Sequence, residues 1–196
     1  NSDKNAYFLS LPEITELSVP PKTILLEEGK VADRMYLIRK GCLRLFFNNE
    51  GRDITFQFFF EGDFVASFDS LYQRTPSLFS LESIDGRTVG YEAGRFFRNL
   101  GQKPALRQIY EEKIIERFHV YQRLFLSRIK NTPQQRYEEL LKEHPSIIQR
   151  IPQHYIASYL GILLFPVEDQ KQGDSSFLYI CYRPVPVEDA NFAAFY

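Results

Sequence analysis

The chain has 196 residues, 44% hydrophobic and 25% charged, with a formal net charge of -1, a balance that fits an ordinary globular protein of two unequal parts and confines any nucleic-acid contact to a local patch. No apolar run reaches the roughly 18 to 20 residues that span a bilayer, and no secretory signal is visible. Cys42 and Cys181 lie far apart, with no metal-ligand spacing around the three histidines, so a reduced, cytoplasmic protein without metal, cofactor or membrane is expected.

The chain starts at Asn1, and the start of the natural protein is expected to precede it. From Thr23 to about Phe97, short apolar runs at 23–26, 35–39, 42–47, 53–59, 78–83 and 88–92 alternate with glycine and asparagine turns. That spacing predicts an antiparallel β domain of sandwich or jelly-roll type. The nearly continuous aromatic run 56–60 calls for a strand covered on both faces, since an exposed one would aggregate.

Over 104–130 the period changes to that of a helix. Ile114, Phe118, Tyr121 and Phe125 fall on one face by steps of four, three and four, a heptad-like seam that suits a two-stranded dimer interface. Thr132-Pro133-Gln134-Gln135 then combines an N-cap hydroxyl, a first-turn proline and a capping-box glutamine. Tyr137, Leu140 and Leu141 would form the buried face of this helix, and His144-Pro145 would end it. A third helix is expected over 152–160, stopped by Gly161.

The most specific pattern is Gly29, then Met35-Tyr36-Leu37-Ile38-Arg39-Lys40-Gly41, Leu43-Arg44-Leu45 and Gly62-Asp63-Phe64. Read physically, these are strands joined by glycine turns, with Asp63 capping nearby N–H groups. The arrangement resembles the cyclic-nucleotide-binding domain of the Crp/Fnr transcription regulators. The resemblance implies an α+β protein with an N-terminal double-stranded β-helix (jelly roll), a long dimerisation helix and a C-terminal helical, partial winged helix-turn-helix region. The expected division is 1–102, 103–130 and 131–196.

Nucleotide-binding members of that family carry a glutamate for the ribose and an Arg-Ser pair for the cyclic phosphate. Ser67 stands where the glutamate would be, Ser77-Leu78 where Arg-Ser would be, and Arg74 comes too early. A cyclic nucleotide is therefore not expected. The effector pocket is placed at Phe64, Val65, Ser67, Phe68, Arg74 and Ser77, holding another small molecule or none. Neither iron–sulfur nor haem ligands are evident, and His119 reads as a solvated or interface residue.

Residues 151–162 resemble the first helix and turn of a helix-turn-helix, with Gln153, His154, Tyr155 and Ser158 as the DNA-facing candidates. The basic recognition helix that should follow is replaced from about residue 163 by a stretch containing Pro166 and Glu168-Asp169, which would break a helix and repel phosphate. Codons for residues 167–173 read one base later can spell Ser-Arg-Ile-Arg-Asn-Arg, so the tail is expected to be an out-of-frame translation. The reading is a homodimeric regulator, not an enzyme, whose DNA contact is impaired. Its rival is a stand-alone dimeric sensory module whose tail strand 177–182 adds to a sheet edge or to a partner. No phosphate loop, nucleophile elbow or HExxH motif supports an enzyme.

Overall fold

The computed structural model describes residues 14–92 and 99–162, and the chain divides into two compact units, with the boundary in sequence between Lys130 and Asn131. The first unit holds strands β1 (Ile14–Ser18), β2 (Thr23–Leu26), β3 (Arg34–Asn49), β4 (Arg52–Phe59), β5 (Phe64–Val65) and β6 (Ser80–Glu92). Helix α1 (Phe68–Gln73) lies between β5 and β6, and the 27-residue α2 (Pro104–Lys130) follows. All pairings are antiparallel. The order is β1-β6-β3-β4, with β2 also on β6 and β5 on β3. The expected mixed α+β class with an antiparallel sheet holds.

Two pairs of expected runs are single strands. The runs 35–39 and 42–47 merge into β3, and 78–83 and 88–92 merge into β6, paired from Arg34↔Glu92 to Phe46↔Ser80. The reason lies at Gly41, which sits opposite Gly86 with φ of 115° between two register shifts. A glycine at positive φ lets a strand bend without reversing, so both neighbours stay paired through the kink.

β3 is covered on both faces, which explains its unbroken apolar stretch. Met35 and Leu37 join Phe64, Ala66, Leu71 and Leu106 in one cluster, while Tyr36, Ile38, Leu43 and Leu45 join Phe59, Val65 and Leu81 in another. The aromatic run on β4 follows suit. Phe58, Phe59 and Phe60 are buried, and half-buried Phe56 meets Phe79 edge-on at 5.4 Å.

Even Arg44 is buried, at 2% exposure. Its Nε donates to Glu82 at 2.5 Å, Nη1 to Thr55 at 3.0 Å and Nη2 to Asp53 at 3.1 Å, and its guanidinium lies 3.9 Å from the Phe46 ring centroid. Strand alternation alone would have turned it to water.

The second unit contains α3 (Pro133–Glu143), α4 (Ile147–Arg150) and α5 (Gln153–Leu160). The capping box is present: Thr132 Oγ1 accepts from the Gln135 N–H at 3.3 Å, and Gln135 Oε1 accepts from the Thr132 N–H at 2.9 Å. Leu140 is buried, with Tyr137 and Leu141 half-buried, and His144 is the C-cap. α4 was not anticipated. Ile147 at its start and Ile151 at its C-cap are buried, as are Ile156 and Leu160 of α5.

α5 ends in a left-handed Gly161, φ 70°. The Gly161 N–H donates to Ser158 O and the Ile162 N–H to Ala157 O, both at 3.1 Å, the paired bonds of a Schellman cap, with Ile162 buried beneath. Arg136 donates to another terminal carbonyl, Leu160 O, at 2.7 Å.

Candidate functional site

The Gly-Asp-Phe turn is locked to β3. The Phe60 N–H donates to Asp63 Oδ2 at 2.9 Å, the Gly62 N–H to Ile38 O at 2.9 Å and the Ile38 N–H to Asp63 O at 3.1 Å. Asp63 therefore caps the residue before the turn, and the turn delivers β5 and then α1 against β3.

A small, open depression is lined by Leu25, Arg34, Tyr36, Ala66, Ser67 and Leu81 among others. The Ser67 hydroxyl is 3.0 Å from that of Ser77, which in turn donates to Phe79 O at 2.8 Å. Ser70 Oγ accepts the Ala32 N–H at 2.8 Å and donates to Thr75 O at 2.5 Å. Burial pushes the Tyr36 phenol up to about 12, and its hydroxyl donates to Leu25 O at 3.3 Å.

The six residues expected at the effector pocket do not share one cavity. Ser67 and Ser77 meet. Val65 sits in the inner apolar cluster, whereas Phe64 and Phe68 line a different groove against α2. Arg74 is exposed at the left-handed end of α1, φ 59°, donating to Ala32 O at 3.1 Å.

That second groove is small and open to solvent, with Met35, Phe64 and Phe68 on one side and Leu106, Ile109, Tyr110, Lys113, Ile114 and Arg117 of α2 on the other. Burial raises the Tyr110 phenol above its ordinary value. Sequence reasoning missed Arg117. Its guanidinium stands 4.5 Å from the Phe59 ring centroid and 4.8 Å from that of Tyr121.

Of the seam on α2, Ile114 is half-buried in this groove, while Phe118, Tyr121 and Phe125 are 58%, 42% and 66% exposed. Leu126 and Ile129 extend the same exposed surface. In the second unit Gln153 and His154 are exposed and Ser158 is half-buried. Tyr155 is buried, its ring 4.1 Å from that of His154. Among the described residues no cluster of three or more His, Cys, Asp or Glu is arranged to hold a metal, and no helix is long and apolar enough to cross a membrane.

The family model "Cyclic nucleotide-binding domain" matches residues 16–100. Residues 16–100 are similar in sequence to that domain.

Solved structures similar to this chain include Crp/Fnr-type regulators, the family that the glycine and Gly-Asp-Phe pattern resembles. The c-di-GMP responsive global regulator CLP of Xanthomonas campestris aligns with a TM-score of 0.63 at 14% identity, covering 82% of this chain and 85% of its own. FixK2 of Bradyrhizobium japonicum gives 0.59 at 19% identity, covering 76% and 77%. The catabolite activator protein of Thermus thermophilus gives 0.52 at 17% identity, covering 82% and 77%. At these identities the likeness is one of fold. No curated protein sequence matches the chain.

Proposed function

We propose that this protein is a transcription regulator of the Crp/Fnr type, in which a jelly-roll domain (1–102) senses a small effector. The long helix (103–130) pairs two copies through Ile114, Phe118, Tyr121 and Phe125, and the C-terminal helices (131–196) address DNA through Gln153, His154 and Ser158, whereas Tyr155, expected beside them, is buried and serves the core of its unit instead. The observation that carries this reading is the order of parts: a cyclic-nucleotide-binding-type domain leads straight into a 27-residue helix whose aromatic stripe is left open to solvent. Apolar stripes of that kind gain stability by pairing with a second copy.

DNA reading is impaired. Residues 163–196 lie outside the described residues, but their sequence places Pro166, Glu168 and Asp169 where a basic recognition helix should enter the major groove. The effector is not a cyclic nucleotide, since Ser67 and Ser77 face each other where a ribose-binding carboxylate and a phosphate-binding arginine would stand. The acidic tail favours, as a second reading, a dimeric sensory module that does not bind specific DNA.

The experiment is an anisotropy and gel-shift titration on the gene's own upstream DNA at low and moderate salt, comparing the chain with a version carrying the frame-shifted basic tail. Specific, steeply salt-dependent binding by the repaired version alone supports a disabled regulator. Binding by neither version supports the sensory module, and specific binding by the chain as it stands refutes the frame-shift account.

A further inference from the structure

One face of α2 is turned inward along most of its length: Leu106, Ile109 and Arg117 are buried, and Val120, Leu124 and Ser127 half-buried. Near its end Arg128 donates to Phe56 O of β4 at 2.8 Å. A second face carries Ile115, Phe118, Phe125 and Ile129, all exposed, at steps of three, seven and four. Gln122, also exposed, fills the gap and completes an alternation of threes and fours. That is the heptad seam of a two-stranded coil, with Ile114 and Tyr121 along its flank. An identical helix suits it. The charged residues over 115–129 are Glu116, Arg117, Arg123 and Arg128, and none stands on the seam, so self-pairing brings no like charges together there.

The one polar position decides the orientation. In a parallel pair in register each seam residue meets its own counterpart, and two Gln122 amides, each with donors and an acceptor, can bond each other. In an antiparallel pair Gln122 is set against Phe118 or Phe125 of the partner subunit, and its amide is buried unpaired. We propose that Gln122 is the residue that determines how a second copy is taken, parallel and in register, at a cost in affinity. The 27-residue α2 is roughly 40 Å long, and its seam stops at Ile129, just before the second unit starts at Asn131. Only the parallel pair therefore brings both second units to one end, as contact with two adjacent half-sites on DNA requires. The proposal rests on the self-pairing in the regulator reading above and adds the orientation and the residue that sets it.

Disulfide exchange in a glutathione buffer reads the orientation on the full chain carrying Cys181→Ser, with the buried Cys42 left in place. Equimolar Ile115→Cys and Ile129→Cys copies, told apart by a tag on one, should form only 115–115 and 129–129 disulfides, because a parallel pair never brings positions 115 and 129 together. Adding Gln122→Leu to both should let 115–129 disulfides appear and should tighten the dimer about tenfold or more in sedimentation equilibrium. Gln122→Asn, which keeps an amide, should retain the same-position pattern. A parent that forms mainly 115–129 disulfides overturns the proposal and leaves the self-pairing of the regulator reading intact. So does a Gln122→Leu chain that keeps the same-position pattern or pairs no more tightly than the parent. A parent that sediments as a monomer at every concentration overturns both.

Discussion

Replacing Arg44 by methionine removes the cation at the centre of a buried network. Glu82, whose side chain is 8% exposed, then keeps its charge with no partner within the sheet, and Thr55 Oγ1 loses a 3.0 Å bond. Asp53, at 45% exposure, loses a 3.1 Å ion pair but stays open to water. Stranding one buried member of an ion pair costs about 3–5 kcal/mol, which lowers a urea midpoint by roughly 2 M for a slope of about 2 kcal/mol per M. Arg44→Met combined with Glu82→Met removes both charges and packs apolar volume in their place, so most of the loss should be recovered, to within about 1 kcal/mol of the parent. Urea unfolding followed by circular dichroism, on the parent, both single variants and the double variant, completes the cycle. A single variant within about 1 kcal/mol of the parent, or a double variant no more stable than Arg44→Met, would refute the buried-pair reasoning.

The Tyr36 phenol, raised to about 12 in the folded protein against 10.0 for a free group, keeps its proton where the unfolded chain has lost it. Its contribution is therefore intact below pH 10 and fades between pH 10 and 12 by about 2–3 kcal/mol, so Tyr36→Phe should flatten alkaline unfolding in that window. Thr132→Ala deletes the capping acceptor and should cost about 1 kcal/mol, seen as faster amide exchange in the first turn of α3. At Gly161 an added Cβ meets nothing within 4 Å, so Gly161→Ala should lose only the backbone preference, about 1 kcal/mol by thermal unfolding, with Gly161→Asn milder. Phe118→Glu with Phe125→Glu should shift the sedimentation of the chain from dimer to monomer without loss of β signal. An unchanged dimer would rule out the α2 stripe as its interface.

Features governed by neighbours in sequence were legible. Thr132 and Gln135 sit three residues apart and cap α3 as their side chains dictate, and Gly161 stops α5. Features governed by distant partners were not. Gly41 looked like a reversal because the strand that keeps it paired, with Gly86 opposite, lies 45 residues on. β1, with its mixed Ile-Thr-Glu-Leu-Ser sequence, is held by β6 rather than by its own pattern. α1 ends on Arg74 in a left-handed conformation that sequence rules assign to glycine or asparagine. In the candidate site, Ser67 and Ser77 meet, whereas Phe64 and Phe68 turn the other way because α2 covers that face. Arg117 carried no local signal, since its surroundings come from β4 and α2 together.

The long β3–β6 ribbon also fixes a schedule for the growing polypeptide. β4 lies two residues beyond β3, across Glu50-Gly51, so that hairpin can zip as soon as Phe59 is made. The other edge of β3 has to wait until Ser80–Glu92 has left the ribosome, and during that interval Leu43 and Leu45 have only half their cover. Contacts so distant along the chain form slowly and leave sticky edges open. Chaperone demand during synthesis should therefore peak between the appearance of β4 and that of β6, and slower translation of residues 60–92 would lengthen the exposure.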